Sequence, residues 1–214
     1  MHTEANTSIS VILAGLILKL GIFGIMRYCY VTFDLFFSVL NSGLLTLTLI
    51  IFFIVMCSFF RFATDLKKII AFSSIVHLNL TFAALITLNS AGILTAIITS
   101  FAHGLSSVGL FLFVGAIISR TYSRQIDSLF FLDTQTRCIL LLLLLCNLSF
   151  PLTLNFIGEL LSVVSLISVS SFFALVFMLS SLVFTLFWFF IYNRKLPFQS
   201  IKLHLYSIEI FIAL

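Results

Sequence analysis

The sequence has very little charge and very few long polar stretches. Only 8% of its 214 residues are Asp, Glu, Lys or Arg, 62% are hydrophobic, and it contains two prolines and one tryptophan. Soluble domains are roughly half apolar and about a quarter charged, so this composition excludes a water-soluble globular protein. The longest polar connection runs from Ser119 to Arg137, which leaves no room for a soluble domain.

The four cysteines lack the spacing of a metal or redox site. No CxxC pair occurs, so zinc, iron–sulfur and dithiol chemistry are not indicated. Free cysteine is usually buried, and we expect four inert, buried thiols. They are Cys29, Cys57, Cys138 and Cys146. The basic residues are not interleaved with aromatic ones, so nucleic acid is not an expected partner.

Long apolar runs fill most of the chain and predict membrane-spanning helices. A helix needs about 20 apolar residues to cross a hydrocarbon core of about 30 Å. An open sheet would leave its polar backbone unpaired in lipid. We therefore predict an all-α polytopic membrane protein. The predicted transmembrane helices, about seven in number, cover residues 8–26, 36–60, 69–88, 91–118, 138–168, 171–192 and 197–214.

Basic residues lie almost entirely on one side of these spans. If successive spans alternate in direction, one face carries Arg61, Lys67, Lys68, Arg120, Arg124, Arg137, Arg194, Lys195 and Lys202, and the other face carries Arg27 alone. Lys and Arg accumulate on the cytoplasmic or matrix side of a membrane. The N terminus and the basic loops are therefore predicted to lie inside and the C terminus outside, with membrane lipids as partners.

Three predicted spans carry a titratable residue at a similar depth. At 1.5 Å per helical residue, Lys19 lies about 16 Å below the basic face, and His77 and His103 each lie about 12 Å from it. A lysine inside a membrane costs about 2.5 to 3.5 kcal/mol, which favours a function for it. A single buried histidine is as readily a structural residue that is hydrogen-bonded to a neighbouring helix, and only the shared depth favours a site.

The span at 138–168 is predicted to be a broken helix, because it would be about 46 Å long if continuous. The stretch NLSFPLTLNFIGELL contains Pro151, which cannot donate its amide, and Asn155 and Gly158, which tolerate irregular turns. Glu159 follows directly. Broken helices place helix ends inside the membrane, as in ion pathways. A proline-kinked helix in which Glu159 only pairs with a neighbour is the alternative.

These residue types predict a proton relay of Lys19, His77, His103 and Glu159, because chains of such groups inside a bundle are typical of proton pumps. Ser106 and Ser107 follow His103 by three and four residues on the same helical face, where they are expected to bond it or hold water. A b-type haem that is held by the two histidines is an alternative.

Four motifs then carry a family resemblance. EANTSISVILAGLILKLGIFGIMR, TDLKKIIAFSSIVHLNL, AHGLSSVGLFLF and NFIGEL occur in this order, and the match extends from Glu4 to about Tyr192. They resemble the successive signatures of subunit 4 of mitochondrial NADH dehydrogenase, an antiporter-like membrane subunit family of respiratory complex I. The resemblance implies a multi-pass protein of the mitochondrial inner membrane that couples NADH:ubiquinone electron transfer to proton pumping. Its basic loops would face the matrix and its C terminus the intermembrane space.

The family fold consists of two inverted five-helix units, each with a broken helix. By resemblance, residues 1–35 form the last helix of a missing first unit, 36–192 the second unit and 193–214 a C-terminal helix. The family's channel lysine and channel histidine match Lys19 and His103. The acidic residue of its second broken helix matches Glu159, and the histidine of its SSxSH stretch matches His77. The resemblance assigns flavin, iron–sulfur clusters and quinone to other subunits, so no cofactor or metal is expected in this chain.

The family's first unit has no counterpart in the sequence. Met1 precedes a complete second unit, so we expect a split gene whose N-terminal half is a separate polypeptide packed near Lys19. An incomplete fragment is the alternative. Neighbouring antiporter-like and accessory subunits of complex I are further expected partners. The functional alternatives are a free-standing cation/proton antiporter fragment and a structural membrane subunit of the complex that does not pump.

Overall fold

The structure is a computed structural model that describes residues 4–32, 37–62, 64–126 and 134–195. Its secondary structure is helical, apart from one isolated bridge between Asp65 and Gln125 in the described part of the chain. The elements are α1 (Thr7–Ile12), a π-helical turn (Leu13–Ile17), α2 (Leu18–Thr32), α3 (Phe37–Phe62), α4 (Leu66–Ile86), α5 (Ser90–Thr121), α6 (Thr134–Asn147), α7 (Leu154–Ile167) and α8 (Ser171–Lys195).

The predicted all-α membrane fold is confirmed. Three described segments are long and apolar enough to cross a membrane, and they are Thr7–Arg27, Leu66–Ile86 and Ser90–Thr121. Shorter apolar helices run over Gly43–Ser58, Gln135–Asn147, Leu154–Ile167 and Ser171–Leu186. These segments coincide with the first six predicted spans. The predicted seventh span, 197–214, lies outside the described residues.

Helices α4 and α5 occupy the centre of the bundle. Helix α5 packs against α4, α6, α7 and the first helix, and α3 packs against α4 and α8. The two central helices bury an unusual number of polar side chains: Ser73, Ser74, His77, Asn79, Thr81, Thr95, Thr99, His103, Ser106 and Ser107. Lipid offers no hydrogen-bond partner, so polar residues of membrane helices face the interior of the bundle. The polar interior therefore runs between α4 and α5.

The first helix, formed by α1, the π turn and α2, lies closely on α5. A β-carbon on Gly15 would lie only 2.8 Å from Cγ2 of Val108, so a larger residue would separate the two helices. The side facing away from α5 is uncovered and apolar, and it exposes Ile9, Ile12, Leu16, Ile17, Leu20 and Phe23. The first helix therefore presents a continuous apolar surface to lipid or to another protein.

One end of the bundle is held together by polar contacts from three parts of the chain. The amide of Leu66 donates to the carbonyl of Arg124 at 3.0 Å. The Nζ of Lys67, a residue only 4% exposed, donates to the carbonyl of Ala5 at 3.1 Å. The beginning of α1, the beginning of α4 and the segment after α5 therefore share one end. The side of the membrane that this end faces stays a prediction.

The broken helix lies where the sequence predicts it. Helices α6 and α7 are separated by residues 148–153, which include Pro151. Two residues of this segment have left-handed backbone conformations, Ser149 with φ 55° and Leu152 with φ 83°. Such conformations cost about 1 to 3 kcal/mol each in residues other than glycine, so the surrounding contacts must stabilise the break.

Asn155 and Gly158, which the sequence places at the break, both lie within the regular helix α7. The Nδ2 of Asn155 instead donates to the carbonyl of Cys146 at 2.7 Å, which satisfies a free carbonyl near the end of α6. Gly158 is buried where α7 meets Thr99 of α5, and a β-carbon there would overlap the Thr99 methyl group. The two residues therefore join helices to each other.

The prediction of buried thiols is wrong for Cys57, Cys138 and Cys146, which are exposed on the surface of the bundle. A thiol is only weakly polar and behaves as a small apolar group, so an outward position in an apolar membrane helix costs little. The side chain of Cys29 is not among those that the structure describes.

Replacing Gly158 with alanine is expected to destabilise the protein by about 1 to 3 kcal/mol, because the added methyl group overpacks the contact with Thr99. Replacing Thr99 with serine in the same chain removes the opposing methyl and should restore stability. Gly24→Ala, at a position with open space, is the control and should not destabilise. Thermal unfolding of the detergent-solubilised protein measures all four forms. Equal midpoints for Gly158→Ala and the unaltered protein would contradict the close packing.

Candidate functional site

The structure brings the predicted site residues of four helices together in the polar interior. The ring centroids of His77 on α4 and His103 on α5 are 5.1 Å apart, and the rings are tilted by 37°. The Nδ1 of His77 lies 3.3 Å from Oε1 of Glu159 on α7. Lys19 reaches the same region from the first helix. Ordered by these contacts and by the position of Lys19 beside α5, the four residues form a row over α2, α5, α4 and α7.

Lys19 lies beside α5 at Gly104, the residue that follows His103 in that helix. Its Cε is 3.3 Å, and its Nζ 3.9 Å, from the position that a β-carbon on Gly104 would occupy. The Nζ donates to the carbonyl of Ala14, which belongs to the π turn. π turns redirect the side chains that follow them and are frequent at functional sites. The absence of a side chain at Gly104 provides the space that Lys19 occupies.

Three imidazole nitrogens in this row are buried without a hydrogen-bond partner in the described part of the protein. They are Nδ1 and Nε2 of His103 and Nε2 of His77. An unsatisfied buried polar atom costs about 1 to 3 kcal/mol, so its retention calls for a reason. Both rings line a cavity of about 10 Å³, which is about the size that one water molecule needs. Eight of the ten lining residues are polar, and the lining consists of His77, Leu78, Leu80, Thr81, Thr99, His103, Ser149, Asn155, Glu159 and Ser162.

Ser106 and Ser107 were predicted to bond His103 or to hold water, and in this structure neither hydroxyl bonds the His103 ring. Their hydroxyls instead approach backbone carbonyls one turn earlier, Ser106 that of His103 at 3.2 Å and Ser107 that of Gly104 at 3.1 Å. Serine in a helix commonly bonds its own backbone in this way. Both serines are buried beside the row and contribute polar surface to the interior.

A buried amide near the row was not predicted from the sequence. Asn147, the last residue of α6, is fully buried. Its Nδ2 donates to Oγ of Ser73 at 3.1 Å, and its Oδ1 lies 3.3 Å from Oγ of Ser106. Asn147 therefore joins α6 to both central helices. The only signal in the sequence is a single amide at the end of a leucine run.

Glu159 is hydrogen-bonded at the break in the helix by Ser149, which was not predicted from the sequence. The hydroxyl of Ser149 donates to Oε1 of Glu159 at 2.6 Å, and this is the same oxygen that faces His77. Thr153 caps the beginning of α7 by accepting a bond from the amide of Phe156 at 3.4 Å. The predicted break residue Pro151 is exposed in the turn between the end of α6 at Asn147 and the start of α7.

The geometry favours transfer of protons over binding of a large cofactor. Amine, imidazole and carboxylate groups each hold and release protons, and here they are adjacent in space. The space beside the two imidazoles is about 10 Å³ and has no room for a porphyrin, so the haem alternative does not fit. Among the described residues, no group of three or more His, Cys, Asp and Glu is placed to hold a metal ion.

Comparison with known proteins agrees with the resemblance. Residues 1–185 match the family described as NADH:quinone oxidoreductase/Mrp antiporter, transmembrane. The chain is 35% identical over 209 residues to NADH-ubiquinone oxidoreductase chain 4 of Dictyostelium discoideum, covering 90% of this chain and 36% of that relative. It is 34% identical over 209 residues to chain 4 of Dictyostelium citrinum, covering 90% of this chain and 47% of that relative. It is 35% identical over 196 residues to chain 4 of Marchantia polymorpha, covering 90% of this chain and 39% of that relative. The chain thus spans less than half the length of these relatives.

Proposed function

Because the chain belongs to the NADH:quinone oxidoreductase/Mrp antiporter family of membrane proteins, we propose that it is the second half of a proton-translocating subunit in the membrane arm of respiratory complex I. The similarity to proteins named NADH-ubiquinone oxidoreductase chain 4 supports the choice of complex. The proposal of proton transfer is supported by the contacts of His77 with His103 and with Glu159, and by the position of Lys19 beside Gly104, the residue after His103 on α5.

In the proposed mechanism, protons pass along the row between Lys19 and Glu159. The last step crosses the 3.3 Å contact from Nδ1 of His77 to the Glu159 carboxylate. A water molecule in the adjoining cavity would bridge the imidazole nitrogens that lack a protein partner. Moving a proton against about 150 mV costs about 3.5 kcal/mol. Repositioning one ion pair in a low-dielectric interior changes the energy by a comparable amount, so distant redox chemistry can drive the step through charge pairing.

We also propose how the chain is arranged in its membrane. Residues 1–35 are proposed to correspond to the last helix of the first antiporter-like unit and 36–192 to the second unit, and most of the proposed C-terminal segment, 193–214, lies outside the described residues. The protein resides in the mitochondrial inner membrane as part of an NADH:ubiquinone reductase. The end of the bundle that holds the start of α4 and the segment after α5 faces the matrix. Flavin, iron–sulfur clusters and quinone are bound by other subunits.

The exposed apolar side of the first helix is the proposed contact with the rest of the subunit. This side lies next to the beginning of the proton row, because Lys19 is on the same helix. The chain covers only 36% to 47% of the Dictyostelium relatives. We infer that a separately encoded N-terminal half packs here and completes the path on the far side of Lys19. Other antiporter-like and accessory subunits would contact the remaining apolar surface.

Native separation of gently solubilised membranes, followed by mass spectrometry of the NADH-oxidising band, tests this proposal. We expect one copy of this chain, together with a second polypeptide similar to the first part of the relatives. Peptides that join both halves in one polypeptide would contradict the separate-gene proposal. Absence of the chain from that band would contradict assignment to complex I. Cation/proton exchange by the reconstituted chain would then support a free-standing antiporter.

A further inference from the structure

Ser149 occupies a backbone position that suits glycine better than serine. Its φ of 55° lies in the left-handed region, which residues with a β-carbon adopt only at a cost. The residue is buried, so its side chain is not simply a solvated loop group. Persistence of a costly conformation at a site indicates that the surrounding contacts or the function require it.

The hydroxyl makes one contact that glycine could not supply. It donates to Oε1 of Glu159 at 2.6 Å, a short bond to a charged acceptor of the kind that is stronger than neutral hydrogen bonds. The same oxygen lies 3.3 Å from Nδ1 of His77. Ser149 in the break and His77 on α4 thus both face the same carboxylate oxygen, Oε1 of Glu159.

Ser149 and Glu159 also border a second space. Besides the small cavity that contains the two histidines, both residues line a groove of about 420 Å³ between the break, α7 and α8. Most of the groove is apolar, but Ser181 and Thr185 of α8 line it as well. The Glu159 side chain therefore borders two spaces into which it can turn, the cavity at the histidines and the groove toward α8.

We propose that Ser149 is a positioning residue that holds the Glu159 carboxylate on the histidine side of the break. This inference rests on the proposed proton-translocating function and adds a residue to it. When Ser149 bonds Oε1, the carboxylate stays within reach of His77 and can exchange a proton with it. Without the hydroxyl, the carboxylate turns toward the groove at α8 and contact with His77 becomes rare.

Replacing Ser149 with glycine tests the effect of the hydroxyl separately from the effect of the backbone conformation. Glycine adopts φ 55° without cost, so a purely structural role predicts a protein that assembles and pumps normally. The positioning role predicts assembled complex with NADH-driven proton translocation about tenfold slower, as for the loss of a hydrogen bond to a charged group. Ser149→Thr keeps the hydroxyl on a less favourable backbone, and assembled complex carrying it should pump at close to the normal rate.

Infrared difference spectroscopy of the purified complex supplies a readout that a structural role would not move. The carboxylate band of Glu159, identified by its loss in Glu159→Gln, should shift in Ser149→Gly and remain in place in Ser149→Thr. Leu152→Gly is the matched control, because it relaxes the other left-handed residue of the same break at a fully exposed side chain. It should change neither the band nor the pumping rate.

The outcomes separate this inference from the proposed function. Normal pumping and an unshifted band in Ser149→Gly, together with impaired pumping in Glu159→Gln, would overturn the role of Ser149 alone. Equal losses in Ser149→Gly and Leu152→Gly would also overturn it, because the flexibility of the break would then explain both. Normal pumping in Glu159→Gln would overturn the proposed function itself.

Discussion

Complex I in which Lys19 is replaced by methionine is expected to lose most of its NADH-driven proton translocation. Methionine matches lysine in length and packs well in apolar surroundings, but it cannot carry a proton. Lys19 lies against Gly104, the residue after His103 on α5, so its loss removes the first member of the row. Loss of a positioned proton-transfer group typically slows a reaction by two to four orders of magnitude, and we expect a fall of at least about tenfold here.

Two further variants give this prediction its controls. Lys19→Arg keeps a positive charge, but a guanidinium does not release its proton, so translocation should remain low. Lys68→Met removes a lysine whose Nζ lies 2.9 Å from Oδ2 of Asp65 near the surface, and translocation should stay close to normal. Proton uptake by complex in sealed vesicles, corrected for the amount of assembled complex, measures each variant. Normal translocation in Lys19→Met would mean that the protons take another path.

Replacing Glu159 with glutamine should have an effect of similar size. The amide oxygen can still accept hydrogen bonds from the Ser149 hydroxyl and from Nδ1 of His77, so the helix break should keep its shape. The amide cannot accept a proton as the carboxylate does. We therefore expect normal assembly and a fall in NADH-driven proton translocation of at least about tenfold.

Glu159→Asp and Glu4→Gln complete this comparison. Aspartate keeps the carboxylate but shortens the side chain by one methylene group, which moves it away from His77 and Ser149. It should therefore retain part of the translocation. Glu4 is exposed at the beginning of the described chain, and its replacement by glutamine should leave translocation unchanged. The same vesicle measurement applies, and translocation by Glu159→Gln at the rate of Glu4→Gln would contradict a proton-carrying role.

Much of the fold was predictable, because the membrane reduces the possibilities to apolar helices of sufficient length. The broken helix was equally visible, since a run of leucines interrupted by Pro151 is too long for one crossing. The predicted depths of Lys19, His77 and His103 came from counting residues along straight helices. These depths were close enough for the structure to place the three residues in one region, with Glu159 beside them.

What the sequence could not predict depends on how helices meet. The left-handed residues of the break are Ser149 and Leu152, and neither is a glycine or asparagine that would mark such a position in the sequence. Asn155 and Gly158 are typical of turns, yet contacts with Cys146 and Thr99 give them different roles within α7. The outward position of three cysteines also depends on the rotation of each helix about its axis. Apolar residues on all sides of a membrane helix leave that rotation undetermined by periodicity.

The most direct test of the single proton row is a double variant that combines Lys19→Met with Glu159→Asp. If both residues serve one path, blocking its beginning makes a slower step at its end irrelevant. The double variant should then translocate protons at the rate of Lys19→Met, within about twofold, because variants of one coupled unit are not additive. A further fall by the full factor that Glu159→Asp causes alone would contradict the row, because it would show that the two residues act independently.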